Sequence, residues 1–329
     1  MRAIVIARAG PPDVLELREV PEPEPGAGQV RVRVHASGVN RADLLQRRGG
    51  YPAPAGWPQE IPGLEYAGVV DALGEGAGRW AVGDRVMGLV GGGGYAEAVV
   101  ADEVEVMAVP ASLSFEAAAA IPEVFLTAHD ALSTQMGLRP GDWLLIHAVG
   151  SGVGTAGLQL ALAAGARVLG TGRSAWKLER ARELGLPIAI EAKSPEEWVD
   201  PVLHETGGRG VDGVLDLVGG AYLSGNIKCL ARLGRLVVVG LVAGASAPLD
   251  LGAVLRKRLR IFGTAMRTRS PDERAAAVAA FEREALPLFA ERRLRPVVDR
   301  VFPAAQAPDA HRRMEANENF GKIVLSWVS

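Results

Sequence analysis

A glycine-rich segment carries the clearest chemical signal in this chain of 329 residues. The segment HAVGSGVGTAG (147–157) follows an apolar run and opens a helix-like stretch. Its glycines permit a tight turn and a close approach of backbone N–H groups to a pyrophosphate. The strict G-x-G-x-x-G spacing is not met, and turn glycines without a ligand are common. Strand, loop, helix and second strand nevertheless follow in order, which predicts a dinucleotide site at Gly150, Ser151, Gly152, Val153 and Gly154.

The second strand of this unit indicates which nicotinamide cofactor binds. NAD sites usually carry an acidic residue about 20 positions beyond the glycine loop, where it holds the ribose 2′-hydroxyl. Gly172 stands where that acid is expected, followed by Arg173, Ser174 and Lys177. Glycine leaves room for a 2′-phosphate and the two cations can pair with it, although the same residues also fit a solvated helix start. We predict NADPH rather than NADH.

The number and spacing of the metal-binding and nucleophilic side chains argue against several other types of reaction. Cys229 is the single cysteine, so one chain can form neither a disulfide nor a zinc site with two or four thiolates. The five histidines are scattered without an HxxxH pair, and His147 at a strand end is interpreted as structural. No G-x-S-x-G nucleophile elbow occurs. We predict no metal site and no acyl-transfer chemistry.

The elements around these residues fall into two parts. Short Val-rich runs fill the first hundred residues, and VRVRV (30–34) alternates as a strand with one wet face does. After Pro110 apolar strands alternate with helices. One long helix is predicted between Ser112 and Thr134, and another over Pro271–Ala290. The pattern predicts an α/β fold: a doubly wound, parallel-sheet Rossmann domain plus a mostly β domain.

Composition and charge limit the classes of partner that this protein is expected to bind. The 36 basic and 38 acidic residues give a net charge of -2 without a basic block, which argues against nucleic-acid binding. The most apolar stretch (236–247) falls short of the ~20 residues of a membrane span, and the first residues show no secretory signal. We expect a cytoplasmic protein with no membrane or nucleic-acid partner.

Six motifs together give the chain a family resemblance over nearly its whole length. They are SGVNRADLLQRRGGYP (37–52), IPGLEYAGVV (61–70), VGDRVMG (82–88), FLTAHDAL (125–132), HAVGSGVG (147–154) and GKIVL (321–325). In this order they resemble the zinc-free, zeta-crystallin-like quinone oxidoreductase branch of the medium-chain dehydrogenase/reductase superfamily. The resemblance implies a GroES-like catalytic domain over 1–117, a Rossmann NADPH-binding domain over 118–262, and a return to the catalytic domain over 263–329.

The chain departs from the zinc-dependent relatives at their metal ligands. Those relatives have a cysteine where this chain has Asn40, a His-Glu pair where it has Leu64 and Glu65, and four structural cysteines that are missing here. An alcohol is hard to ionise at neutral pH without that Lewis acid, so alcohol oxidation is not expected. We interpret Glu65 as a structural residue paired with a nearby donor.

The resemblance also assigns residues to the reaction. It implies that Asn40, Asp43 and Tyr51 face a substrate cleft between the domains, with Tyr51 a candidate proton donor as in related enoyl-thioester reductases. Each has a structural alternative: a turn cap for Asn40, a helix N-cap or first-turn acid for Asp43, and a packing aromatic for Tyr51. Thr127 contacts the nicotinamide or, alternatively, back-bonds within its helix. Around the nicotinamide the resemblance also places Gly240, Leu241, Val242, Phe262, Gly263 and Thr264.

These observations lead us to expect an NADPH-dependent quinone reductase. Hydride would pass from the nicotinamide to a quinone, or another electron-poor substrate, in the interdomain cleft without metal or flavin. Two alternatives stay open: an enoyl-thioester or alkenal reductase with Tyr51 as proton donor, and a weakly catalytic, crystallin-like NADPH-binding protein. The sequence motifs do not distinguish one quinone from another as the physiological substrate. The resemblance also implies a homodimer, in which the strand LRIFGTAM (259–266), at the expected sheet edge, would offer its unpaired backbone groups to a second subunit.

Overall fold

Three sheets, of two, six and seven strands, organise residues 1–328, the part of the chain that the computed structural model describes. The strands are β1 Arg2–Ile6, β2 Leu15–Glu19, β3 Gln29–Val39, β4 Glu65–Leu73, β5 Arg85–Leu89, β6 Ala98–Asp102, β7 Val106–Ala108, β8 Trp143–Ile146, β9 Arg167–Gly172, β10 Ile188–Glu191, β11 Val211–Asp216, β12 Leu230–Val238, β13 Arg260–Gly263, β14 Val298–Pro303 and β15 Lys322–Ser326. The helices are α1 Arg41–Arg47, α2 Phe115–Ala118, α3 Pro122–His129, α4 Gly152–Ala163, α5 Ala175–Glu183, α6 Val199–Glu205, α7 Leu223–Cys229, α8 Leu251–Lys257, α9 Pro271–Glu284, α10 Pro287–Ala290 and α11 Ala307–Glu315. Over the described residues, none of these helices has the length and apolar content that a membrane crossing requires.

A mostly β unit combines residues 1–126 with the chain from 266 onward. Its large sheet has the order β14-β15-β3-β4-β5-β7, and β6 pairs with β3 as well. The valines of the VRVRV run are buried, whereas Arg31 and Arg33 reach the wet face and bind Asp71. The predicted alternation of β3 is therefore confirmed, and it packs one face of the strand into the core of this unit.

Residues 127–265 form the second unit around a six-stranded sheet. Its order is β10-β9-β8-β11-β12-β13, and every neighbouring pair is parallel. Leu144, Leu145 and Ile146 of β8 are fully buried, as expected for a strand covered on both faces. The predicted doubly wound Rossmann domain is confirmed, and so is the mostly β domain. In such sheets ligands bind beyond the carboxyl ends of the strands where the order reverses, here between β8 and β11.

Both long predicted helices are interrupted at prolines. The helix predicted between Ser112 and Thr134 ends after α2 and starts again at Pro122, and α3 then continues into a π-helical stretch, Asp130–Gln135. The helix predicted over Pro271–Ala290 divides into α9 and α10, the second of which begins at Pro287. Proline has no backbone N–H and clashes with the preceding turn, so it begins a helix more readily than it continues one.

Candidate cofactor-binding and active site

In the unit of residues 127–265, the turn between β8 and α4 brings backbone groups unusually close. Ala148 adopts φ 49°, in the left-handed region, and its carbonyl accepts a hydrogen bond from the Ser151 N–H at 2.9 Å. Ser151 caps α4 through its Oγ, which accepts from the Gly154 N–H at 3.1 Å. A Cβ on Gly154 would lie 2.5 Å from the Ala148 carbonyl oxygen, so only glycine fits this position. The left-handed residue of the turn is therefore Ala148, which lies outside the predicted set.

The same turn fits a dinucleotide pyrophosphate. Gly150 lies in the turn, and Gly152 and Val153 form the first positions of the twelve-residue helix α4. The turn follows the carboxyl end of β8, beside the point where the strand order reverses. The first N–H groups of a helix and the positive end of its dipole favour an anion there. The residues present therefore suit the group that the glycine pattern predicted.

The end of β9 holds the residues predicted to distinguish the two cofactors. A Cβ on Gly172 would lie 3.1 Å from Leu178 Cδ2, so a larger side chain there would press against α5. Arg173 is exposed, and neither its guanidinium nor the Ser174 hydroxyl bonds to a protein group among the first 328 residues. The Lys177 ammonium lies 5.3 Å from the centroid of a ring of Trp176. Polar groups suited to a 2′-phosphate thus stand where they were predicted, and the choice of NADPH stays a prediction.

His147, at the end of β8, belongs to a buried hydrogen-bond network. Its Nδ1 lies 2.8 Å from Thr171 Oγ1 and its Nε2 2.7 Å from Asn226 Oδ1, while Asn226 Nδ2 donates to Asp216 at 2.9 Å. Because an amide oxygen only accepts, Nε2 carries the proton and Nδ1 accepts from the threonine. Burial lowers the pKa of His147 and favours this neutral form. The ring thus connects β8, β9 and α7, which agrees with the structural interpretation.

The remaining predicted cofactor contacts follow strand ends of the same unit. Gly240–Val242 comes after β12, and the side chains of its last two residues are more than half exposed. A Cβ on Gly240 would lie 2.5 Å from the Leu217 carbonyl oxygen, so the backbone closely approaches the residue that follows β11. Phe262 and Gly263 end β13, and the Thr264 hydroxyl that follows donates to Asp130 Oδ2 at 2.7 Å. These residues lie at the carboxyl ends of strands, as ligand-binding residues do in this type of sheet.

Thr127 lies in the buried part of α3. Its hydroxyl makes no hydrogen bond anywhere in the described chain, including to the preceding helical turn. The described residues therefore do not contain the hydrogen bond that the back-bonding alternative requires, and the Thr127 hydroxyl is available to a ligand.

In the other unit, Asn40 is the N-cap of α1 and belongs to a buried ionic cluster with Glu65 and Lys322. Its Nδ2 donates to Glu65 Oε1 at 2.8 Å, and the Lys322 ammonium donates to Asn40 Oδ1 at 2.6 Å. The same ammonium lies 2.6 Å from Glu65 Oε1, and both residues are almost completely buried. Glu65 Oε2 accepts from the Glu123 N–H at 2.8 Å. The prediction that Glu65 pairs with a nearby donor is confirmed.

This cluster does not fit a zinc ion. The positions at which the zinc relatives hold metal carry an amide at Asn40, an alkyl group at Leu64 and a carboxylate at Glu65 that already binds Lys322. Zinc in proteins is bound mainly by thiolate and imidazole, and an ammonium 2.6 Å from the one carboxylate would repel a dication. Over residues 1–328, no three His, Cys, Asp or Glu side chains gather as a metal site.

Asp43 is fully buried in α1 and is occupied by hydrogen bonds within the protein. Its Oδ2 accepts from the Asn40 N–H at 2.8 Å and from the Tyr95 hydroxyl at 2.9 Å, and its Oδ1 accepts from the Gly63 N–H at 3.3 Å. The tyrosine oxygen lies 3.2 Å from His311 Nε2. Burial raises the pKa of Asp43 to about 6. These contacts match the first-turn acid alternative rather than a group that faces a ligand.

Tyr51 lies beside Arg267, a residue that sequence reasoning missed. The guanidinium carbon lies 4.8 Å from the centroid of the tyrosine ring, and Nη1 donates to the Tyr51 carbonyl at 3.2 Å. Donations to the Gly91 carbonyl at 2.8 Å and to Gln46 Oε1 at 2.7 Å hold the guanidinium in place. Tyr51 is half-buried, and its hydroxyl has no hydrogen-bond partner in the part of the chain that the structure describes. That hydroxyl is therefore available to a ligand.

Glu123, in the first turn of α3, was missed as well. Its side chain lines a cavity together with Leu64, Gly91 and Arg267. Burial, aided by the negative charge of Glu65, raises the pKa of Glu123 to about 8. The available signal was a single carboxylate inside the apolar run AAAAIPEVFL (117–126), whereas nothing in the sequence around Arg267 marked it out.

Family models match most of the chain. Residues 26–111 match the alcohol dehydrogenase GroES-like domain, and residues 152–283 match the family described as zinc-binding dehydrogenase. A quinone oxidoreductase of Pseudomonas aeruginosa is 34% identical over 325 residues, which cover 98% of this chain and 99% of that protein. The similarity therefore includes both units.

Solved structures show the same fold with different cofactors and activities. A mycobacterial protein in complex with NADPH matches at TM-score 0.88 and 30% identity, over 99% of this chain and 100% of the other. CurK enoyl reductase matches at TM-score 0.87 and 28% identity, over 99% and 98%. An NAD-dependent alcohol dehydrogenase matches at TM-score 0.86 and 36% identity over the whole of both chains. The fold alone therefore does not select the cofactor or the substrate.

Proposed function

Because the chain belongs to the quinone oxidoreductase branch of the medium-chain dehydrogenase/reductase superfamily, we propose that it is an NADPH-dependent quinone reductase that works without a metal. The fold binds a nicotinamide cofactor, which in its reduced form supplies a hydride when bound. An acceptor that takes a hydride without a Lewis acid must be electron-poor, as a quinone is. Hydride and one proton convert the quinone to a hydroquinone.

The observation that carries this proposal is the buried cluster of Asn40, Glu65 and Lys322. Its donors and acceptors are used for one another, and its carboxylate is neutralised by an ammonium rather than by a metal ion. Alcohol oxidation needs a strong electrophile to ionise the hydroxyl at neutral pH, and the cluster supplies none. Reduction of an electron-poor acceptor does not need one, so the cluster favours this reaction.

One set of residues suits any nicotinamide dinucleotide and a second supports the choice of NADPH. The N–H groups of Gly152 and Val153, in the first turn of α4, would hold the pyrophosphate that both cofactors share. Arg173 and Lys177 would pair with a 2′-phosphate, and Gly172 offers no carboxylate to repel it. The same residues give no comparable support to NADH, whose 2′-hydroxyl is usually held by an acid.

A second candidate function is favoured by the half-buried hydroxyl of Tyr51, which has no hydrogen-bond partner over residues 1–328. An enoyl-thioester or alkenal reductase needs a proton donor for the carbon next to the carbonyl, and this hydroxyl is suited to it. One of the similar structures is an enoyl reductase, which keeps this alternative open.

The experiment that separates these functions measures NADPH oxidation by the purified enzyme after treatment with a chelator. The acceptors are 1,4-benzoquinone, 9,10-phenanthrenequinone and a crotonyl thioester. We expect turnover with the quinones in the wild type and in Tyr51→Phe. Turnover with the thioester alone, lost in Tyr51→Phe, would replace the quinone proposal by the enoyl reductase. Tight NADPH binding in calorimetry with no turnover at all would instead indicate a weakly catalytic binding protein.

A further inference from the structure

Four carboxyl groups belong to the buried cluster, contact it or line the cavity of Glu123, and one of them has no hydrogen-bond partner. Asp43, Glu65 and Glu105 each accept hydrogen bonds from neighbouring groups, with Glu105 held by Arg274 at 2.9 and 3.0 Å. The Glu123 carboxyl accepts no hydrogen bond and forms no ion pair with any residue from 1 to 328. The Glu123 side chain is half-buried and lines a cavity, so its carboxyl group is available to a ligand there.

The main chain holds Glu123 at this place. Its backbone N–H donates to Glu65 Oε2 at 2.8 Å, and Pro122 begins the helix immediately before it. The residue is thus anchored to the buried cluster through its backbone. Its carboxyl group is available to a ligand in the cavity, which Arg267 lines as well.

The charges around Glu123 determine how readily it holds a proton. Glu65 and Asp43 oppose its ionisation, while Lys322 and Arg267 favour it, and burial is the largest influence of all. The result is a pKa of about 8, so the group is mostly protonated at pH 7. A group with such a pKa holds its proton at neutral pH yet is acidic enough to give it up.

Tyr51 is the weaker acid of the two groups. Burial and the charge of Glu123 raise the pKa of its hydroxyl above the ordinary value of 10, although Arg267 opposes this. General acids work best when their pKa lies near the working pH, which favours the carboxyl group over the phenol. Arg267 is close to both groups, since its guanidinium stacks on the Tyr51 ring and the residue lines the cavity of Glu123.

We propose that Glu123 is the proton donor of the reduction, with Arg267 stabilising the carboxylate that the transfer leaves behind. This inference rests on the proposed quinone reductase function. Once a hydride has been added to the quinone, the O–H bond of Glu123 breaks and an O–H bond forms on the hydroquinone anion. Quinone, hydride and proton together give the neutral hydroquinone. Solvent then returns a proton to the carboxylate.

The kinetic test compares Glu123→Gln and Glu123→Asp with the wild type across pH 6 to 10. We expect Glu123→Gln to lower the single-turnover rate with 9,10-phenanthrenequinone about a hundredfold, in the range usual for general acids. The wild-type rate should fall as pH rises through about 8, because the acid is lost, and Glu123→Gln should lack this fall. Glu123→Asp should recover part of the rate. Glu116→Gln, on the neighbouring helix α2, is the matched control and should behave as the wild type.

A second readout needs neither cofactor nor substrate. Infrared spectra of the protein at pH 7 should contain a carboxylic-acid C=O band that is missing in Glu123→Gln and disappears from the wild type above pH 8. Calorimetry should give the same NADPH affinity for wild type and variant, which excludes a folding defect.

The outcomes separate this inference from the function on which it rests. Wild-type turnover with an unchanged rate and pH profile in Glu123→Gln would overturn the inference alone, as would a missing infrared band. Failure of the wild type to reduce any quinone would overturn the proposed function and the inference with it.

Discussion

The Lys322 ammonium lies 2.6 Å from the Glu65 carboxylate, and both side chains are almost completely buried. The pair joins β15, near the end of the chain, to the start of β4, and Asn40 bridges the two through its amide. An intact buried pair does little more than offset the cost of desolvating its charges, but a broken one leaves a charge without compensation. The fold and the proposed chemistry therefore depend on the same two residues.

Replacing Lys322 by Met should destabilise the protein by about 3–5 kcal/mol, because the buried Glu65 carboxylate then has no counter-charge. Chemical denaturation at pH 7 measures the change. Lys228→Met is the matched control, since Lys228 forms an exposed ion pair with Glu196 at 2.7 Å and the substitution should change the stability far less than Lys322→Met does. The double variant Glu65→Gln/Lys322→Met should recover part of the loss. Equal stability of Lys322→Met and Lys228→Met would contradict this account of the cluster.

Removing the cations at the start of α5 should weaken NADPH binding more than NADH binding. We expect Arg173→Ala/Lys177→Ala to lower the NADPH affinity about 10- to 100-fold, since a charge-assisted hydrogen bond contributes roughly 1.5–3 kcal/mol, while NADH affinity stays near that of the wild type. Titration calorimetry measures both. Arg182→Ala is the control on the same helix, because Arg182 pairs with Glu179 at 2.9 Å. An equal loss for both cofactors, or no loss for NADPH, would refute the predicted preference.

The features that the sequence predicted well depend on residues close together in the chain. The alternation in β3 and the strand-turn-helix at Ser151 are local patterns, and the structure contains both. The breaks in the two long helices are local features as well, because they occur at Pro122 and Pro287, and a proline begins a helix more readily than it continues one.

The polar networks depend on contacts between distant segments and could not be predicted in the same way. Asn40, Glu65 and Lys322 meet only because β3 pairs with β4 on one side and with β15 on the other. Glu123 is distinguished by a carboxyl group that has no hydrogen bond or ion pair over residues 1–328. The lack of a partner cannot be recognised before the fold is known. The family resemblance therefore implied that Asn40 lies at a site, but not what its side chain binds.

The outer edge of β13 should form the contact between two subunits. Within the described residues β13 pairs only with β12, Ile261 on this strand is partly exposed, and Leu251 and Leu255 are exposed on the nearby helix α8. An unpaired strand edge beside apolar side chains favours association with a second copy. We expect light scattering at micromolar concentration to give a dimer, and Leu255→Asp/Ile261→Asp to give a monomer. Val82→Asp, an exposed residue of the other unit, should remain dimeric, and a monomeric wild type would disprove the homodimer.

Glu123 should also make the stability of the protein depend on alkaline pH. Its pKa of about 8 in the folded protein lies above the ordinary value of 4.5, so the folded state binds more protons between these values and stability falls as pH rises through this window. Glu123→Gln stays neutral and should not show this loss. Between pH 6 and pH 9 we expect the wild type to lose about 3 kcal/mol more than Glu123→Gln, with Glu116→Gln following the wild type. Denaturant unfolding at each pH measures the difference. Parallel curves for wild type and Glu123→Gln would mean that this carboxyl group titrates normally, and it would then be ionised at pH 7 and unable to act as the acid.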